Sequence, residues 1–172
     1  MIFITGLVSA NIVGNLRICA LRVSFQEDSL SSTTGNGQFL LESNGIECSK
    51  YTLDPPPHDR SYFESQLIAI SSYFDSVSYG QLTIDLDNSD VYPSDNEGAY
   101  ELSKFMNYYN PYSQSDLQEK RLTELFRDAV VLAGSVDQIN FDSYDLVVVF
   151  HAGIGQDFSL PFLDPTPEDI PS

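Results

Sequence analysis

Apolar residues recur along this chain with two different periods, and each predicts a different element. Phe63, Leu67, Ile70, Phe74 and Val77 follow one another at steps of four and three, which lays a single apolar stripe along a helix. Ser61 and Glu64 ahead of them make a Ser-x-x-Glu capping box, whose side chains satisfy free amides of a first helical turn. Ser78-Tyr79-Gly80 then supplies a stop, because glycine accepts the positive φ of a helix end. A second helix is predicted from about residue 116 to 133, opened by Ser115 and Gln118, with Leu122, Leu125, Phe126, Ala129, Leu132 and Ala133 inward and Gly134 as its stop.

The other period is two. Residues 81–87 alternate, with Leu82, Ile84 and Leu86 on one side and Thr83, Asp85 and Asp87 on the other, the pattern of a half-buried strand. Residues 16–25 are rich in β-branched and aromatic side chains and read as a strand interrupted by Arg17 and Arg22. Five consecutive apolar residues, Leu146 to Phe150, suit a central strand covered on both faces. A short helix is expected within 99–109, ended ahead of Pro111. Residues 29–37 and 88–97 read as loops, and Pro55-Pro56-Pro57 as a stiff extended segment. Residues 156–172 carry four prolines and no period, so they read as a crossing loop or a cut edge that makes no core element. Strands interleaved with helices predict an α/β layer structure, in one domain or a large piece of one.

Composition narrows the partners. Twenty-five acids against eight bases give a net charge of −17, which argues against nucleic acid and anionic membrane surfaces, since both need a basic face. The charge suits a secreted protein, a saline habitat or a cation-binding one. Eleven Phe and ten Tyr supply core material that disordered chains lack. Residues 1–15 read as a clipped signal peptide with Val8-Ser9-Ala10 as the cleavage site, or as an ordinary N-terminal strand, because no basic region precedes them. No apolar run is long enough for a membrane-spanning helix. The two cysteines, Cys19 and Cys48, allow at most one internal disulfide and no scaffold.

Three segments in this layout carry a family likeness. Ser61-Tyr62-Phe63 continues to Tyr73-Phe74-Asp75-Ser76-Val77-Ser78-Tyr79-Gly80-Gln81-Leu82; Val91-Tyr92-Pro93 follows; and Asn140-Phe141-Asp142-Ser143-Tyr144-Asp145 leads through the apolar run to His151-Ala152-Gly153-Ile154-Gly155. In order and spacing these resemble the immune inhibitor A-like family of secreted zinc metallopeptidases, over roughly residues 16–155. The resemblance implies the N-terminal half of a zincin-like domain: a mixed twisted sheet with backing helices, its second half missing, forming one wall of a peptide-binding cleft, in an extracellular protein. It implies zinc as the cofactor of the complete domain and a protein or peptide as its substrate. Gln81 stands where the family has Lys, and the family's Asp/Gly-rich loop before the buried strand is missing here.

The zinc motif itself is absent. A peptidase of this type needs His-Glu-x-x-His on one helical face, with the Glu beside the metal-bound water. The chain has two histidines, His58 and His151, and neither begins that motif. No catalytic residue and no zinc ligand is therefore assigned. His151, Ala152, Gly153 and Gly155 are expected to line the cleft, although a strand-end histidine bonded to backbone is the simpler reading of His151. His58, after three prolines, reads as a turn or packing residue. Asp85, Asp87 and Asp90 offer the hard oxygen ligands that calcium takes, but the sixth and twelfth positions of an EF-hand loop counted from Asp85 are Asp90 and Asn96, not Gly and Glu. Solvated acids at a strand exit are the simpler reading. Gly153-Ile154-Gly155 lacks the Lys and following helix of a phosphate loop, and no Gly-x-Ser-x-Gly elbow occurs. Two other readings stay open: a non-catalytic acidic extracellular binding module on the same scaffold, and a flavodoxin-like domain whose ligand loop would be residues 152–156.

Overall fold

A computed structural model describes residues 13–42, 55–112, 114–156 and 166–171. Residues 1–12 of the segment read as a signal peptide, Cys48 and the prolines at 161 and 165 lie outside these residues; residues 14 and 15 of that segment belong to a strand. The elements are strands β1 (Gly14–Leu16) and β2 (Ile18–Ser24), helix α1 (Arg60–Val77), strands β3 (Leu82–Ile84), β4 (Asp90–Tyr92) and β5 (Tyr100–Glu101), helices α2 (Met106–Tyr109) and α3 (Ser115–Asp137), and strand β6 (Leu146–His151).

β2 is the axis of the fold, and all seven of its residues are buried. Ile18 to Val23 pair in parallel with Leu146 to His151 of β6 on one side. On the other side Cys19 to Leu21 pair with β4 and Val23 and Ser24 with β5, both in parallel, while β1 pairs in parallel with β3. The sheet expected to be mixed is thus wholly parallel among the described residues. Parallel neighbours need crossovers, and α1 and α3 supply them.

The two faces of β2 build two cores. Ile18 and Ala20 meet Phe63, Leu67, Ile84 and Val91, with Val148 and Phe150 of β6 packed against them. Cys19, Leu21, Val23 and Phe25 meet Leu125, Ala129 and Ala133 of α3, with Val147 and Val149 alongside. Alternate residues of one strand therefore serve opposite helices, as a sheet buried on both faces requires. The Cys19 thiol is free and lies in the middle of this core. Burial pushes it up to about 12, which makes it inert.

Several elements differ from expectation, for local reasons. The N-cap of α1 is Asp59, whose carboxylate accepts the Tyr62 amide at 3.0 Å; Ser61 lies inside the helix. The stripe on α1 buries Phe63 and Leu67 only, and Val77 is 52% exposed because the helix outruns the short strands beneath it. α3 passes through Gly134 and ends at Asp137, with Gln138 taking the left-handed turn at φ 53°. Gly134 serves close approach instead, since a Cβ there would sit 3.2 Å from the Phe141 ring. Phe126, expected inward, is largely solvent-facing. β3 stops at Ile84, and Leu86 begins a 3-10 turn, with its side chain exposed. β4 lies within the stretch read as loop, and β5 together with the four-residue α2 replaces the helix expected over 99–109.

β6 is an edge, not the centre. The Leu146 amide donates to the Arg17 carbonyl and the Ala152 amide to that of Val23. Even-numbered residues of β6 thus face β2, and the amides of Val147 and Val149 point away from it. Among the described residues no strand takes that side. No described helix is long and apolar enough to cross a membrane.

Candidate functional site

In parallel α/β sheets, ligands gather at the carboxyl ends of the strands. Here the ends of β2 and β6 converge on His151, Ala152, Gly153 and Gly155. His151 is half-buried; its Nδ1 lies 3.0 Å from the Ala152 carbonyl oxygen, a bond in which that nitrogen carries the proton, and its ring stands 6.5 Å from that of Phe25. Ala152 is buried, with its amide bonded to Val23. Gly153 takes φ +95°, and a Cβ there would fall 2.5 Å from Cε of Met106. The four residues expected to line a cleft lie along one turn at the end of β6, with Ala152 covered, His151 and Gly155 half-buried and Gly153 exposed. Replacing Gly153 by Ala should cost about 1–3 kcal/mol, because it adds left-handed strain to a steric clash. A thermal melt checks this, and an unchanged midpoint would mean that Met106 moves aside freely.

What covers this end is a segment that reads from sequence as mere loop. Asp169 and Ile170 are 0% and 2% exposed. The Asp169 carboxylate accepts three hydrogen bonds, from the Thr34 amide at 2.6 Å, the Thr34 hydroxyl at 2.7 Å and the Thr166 amide at 2.8 Å. Asn110, itself buried, donates from Nδ2 to the Asp169 carbonyl, and Gln118 donates to Asn110 Oδ1. The Glu168 amide donates to Ser32, and the Gln156 amide to Ile170. Ile170 joins the α3-side core with Phe25, Met106 and Tyr109. The statement that this end adds nothing to the core is therefore corrected. Proline content predicts the lack of helix or strand, but it carries no information on burial. The one signal in sequence was an Asp-Ile pair, polar then aliphatic, held between prolines.

A second polar cluster lies at the opposite, amino end of β6. Arg17 grips Asp145 with Nε at 3.0 Å and Nη2 at 3.0 Å, and its backbone amide adds a third bond at 2.9 Å. These bonds, the side-chain ones foremost, hold the Asp145 carboxyl down at about 2. The folded value is depressed, so the stabilisation is present above the unfolded value near 4 and is lost as pH falls from there towards 2. A carbon-detected titration should find Asp145 near its depressed value, and Arg17→Met should return it to the ordinary range. The pair is exposed, so salt should weaken the shift.

Of the calcium candidates, Asp85 caps the 3-10 turn through the Asn88 amide and side chain, at 3.2 and 2.9 Å. Asp90 accepts the Tyr144 hydroxyl at 2.6 Å, and Tyr144 in turn meets the Tyr92 hydroxyl at 3.0 Å. Asp87 and Asp90 share a shallow concavity with Arg17, Asn88, Ser143 and Tyr144. Asp85 turns its oxygens to its own turn and Asp90 to a tyrosine. Among the described residues no three His, Cys, Asp or Glu side chains converge to hold a metal ion.

Arg22 completes the polar interior. Its side chain is fully buried on the α1 face of β2. Nη1 donates to the Asn96 carbonyl at 2.9 Å, and Nη2 to those of Pro93, at 2.7 Å, and Asp95. Arg60 adds a bond to the Ser94 carbonyl at 3.2 Å. Four successive carbonyls of the loop after β4 thus face guanidinium groups, an arrangement not legible from the sequence. Desolvation lowers the Arg22 pKa, and the neighbouring charge of Arg60 lowers it further. His58 packs against Tyr62, with ring centres 4.9 Å apart and the rings tilted by 51°.

Comparison with known proteins adds no relative: no family model matches the chain, and no curated protein or solved structure does.

Proposed function

We propose that this chain is the N-terminal, non-catalytic portion of a secreted zinc-dependent peptidase domain, supplying one sheet wall and its backing helices. The observation that carries this reading is the open edge of β6. The strand is apolar on both faces and packs into both cores, yet its outward amides at Val147 and Val149 meet no strand among the described residues. Such an edge calls for a further strand. The segments that carry the family likeness also fall on elements in the expected order: a helix closed by Ser78-Tyr79-Gly80, then β3, then Val91-Tyr92-Pro93 at β4, then β6 leading into the His151-Ala152-Gly153 turn.

Zinc does not fit the residues present. His151 is turned to backbone, and no third ligand approaches either histidine among the described residues. No hydrolytic step is therefore assigned to this chain. Peptide-bond hydrolysis by a zinc-activated water would belong to a His-Glu-x-x-His helix supplied by further polypeptide.

The test is to sequence the transcript through and beyond codon 172. An open frame that reaches His-Glu-x-x-His is expected, whereas a stop codon directly after Ser172 would overturn the peptidase assignment. A second reading, an acidic extracellular binding module without catalysis, is favoured by one observation: residues 166–170 close the core at the carboxyl end of the sheet, as in a self-contained domain. That reading requires a monomer with a single cooperative melt.

A further inference from the structure

We propose that the groove holding residues 166–171 is a peptide-binding site filled in cis, and that it takes an extended segment of the same chemistry, an Asp followed by an aliphatic residue, from another chain. The groove has the parts of a receptor. Thr34 offers its amide and hydroxyl to one carboxylate, at 2.6 and 2.7 Å. Asn110 donates to the following backbone carbonyl at 2.5 Å, and is itself oriented by Gln118. The Ser32 carbonyl and the Gln156 amide grip backbone on either side of Asp169, at 3.0 and 2.9 Å. Beside these polar anchors, Phe25, Met106 and Tyr109 belong to the core that receives Ile170.

The occupant contributes little regular structure of its own. Among the described residues its one internal backbone-to-backbone bond runs from the Asp169 amide to Thr166, at 3.2 Å, and its others join it to Ser32 and Gln156. Apart from Gln156, which follows β6, every receptor residue named belongs to α2 or α3 or to the segments directly after β2 and α2, and these strands and helices pack through contacts that do not involve the segment. A segment held this way exchanges with a competitor in proportion to how often it leaves. The ligand is thereby specified as a carboxylate two bonds from the main chain, its own carbonyl free to accept, and an aliphatic side chain next in sequence.

The probe is the synthetic peptide Thr-Pro-Glu-Asp-Ile-Pro, fluorescently labelled and titrated into the full chain and into a D169A/I170A variant. Saturable binding at least about tenfold tighter to the variant than to the parent is expected, because the parent groove is already occupied. A peptide with Ala in place of Asp should lose that binding. Equal binding to both proteins, or none to a variant that retains the parental circular dichroism, overturns the proposal. Hydrogen exchange on the unaltered chain decides the matter even if the variant fails to fold. The Thr34 and Glu168 amides should exchange through a local opening, faster than those of Leu21 and Val23. Exchange of all four in a single global event would show that the segment is an inseparable part of the core.

Discussion

Arg22→Met is expected to destabilise the fold by about 3–5 kcal/mol. The side chain fits by volume, so the loss is one of hydrogen bonding. The guanidinium donates to the carbonyls of Pro93, Asp95 and Asn96, and methionine would take that donor from all three, leaving Asn96 its bond from the Arg60 amide and Pro93 and Asp95 without a replacement from the side chain. Each such group costs about 1–3 kcal/mol, offset in part because the substitution also removes the burial of a cation whose Nε has no acceptor among the described residues. The damage should spread to α1, because the same loop receives the Arg60 amide at Asn96 and bonds the Asp59 cap through the Asn96 side chain. Arg22→Lys should recover only part of the loss, since one ammonium cannot span carbonyls arranged for a planar fork. Urea denaturation of the three proteins measures this. A loss below about 1 kcal/mol for Arg22→Met would mean that the loop is held by Arg60 and Asp59 alone.

Arg22 also shows how far the sequence could be read. The strand containing it was legible because Ile18 to Phe25 is apolar and β-branched, and both long helices were legible because their stripes run for several turns. These elements carry their own signal. β4 and β5 do not: three and two residues long, they are strands only because β2 offers a row of partners along one side. The polar interior was hidden for a related reason. Arg22 and Asp169 resemble surface residues in any local window, and only the fold shows that three loop carbonyls meet one and three donors meet the other. Burial of β6 was misjudged because five apolar residues announce contact on both faces without saying whether both edges are paired. The cleft expected around His151 rested on the family likeness; the turn is present, and the Asp169-Ile170 segment reaches its far end through the Gln156 amide.

Phe25→Ala is the second substitution expected to cost about 3–5 kcal/mol, through a cavity and not a lost bond. Phe25 is fully buried at the carboxyl end of β2. Its ring stands 5.8 Å from that of Tyr109 and 6.5 Å from that of His151, so it joins α2 to the turn after β6. Removing it takes contact from both elements, leaving the approach of Met106 to Gly153 between them, and α2 has only four residues with which to compensate. The backbone there is fixed independently, by the Phe25 amide on the Gly37 carbonyl at 2.8 Å and by Gln38 on the Phe25 carbonyl, so the strand cannot simply slide into the space. Collapse should instead draw on Met106, the most adaptable neighbour. Phe25→Leu, which keeps most of the volume, should cost less than about 1.5 kcal/mol. A domain of this size has a total stability of about 5–15 kcal/mol, so the alanine variant should show a lower melting midpoint and a displaced Met106 methyl resonance. A variant that loses stability while the Met106 resonance stays in place would show a rigid empty cavity at the foot of the Ile170 groove, and a small apolar probe such as benzene should then restore part of the loss.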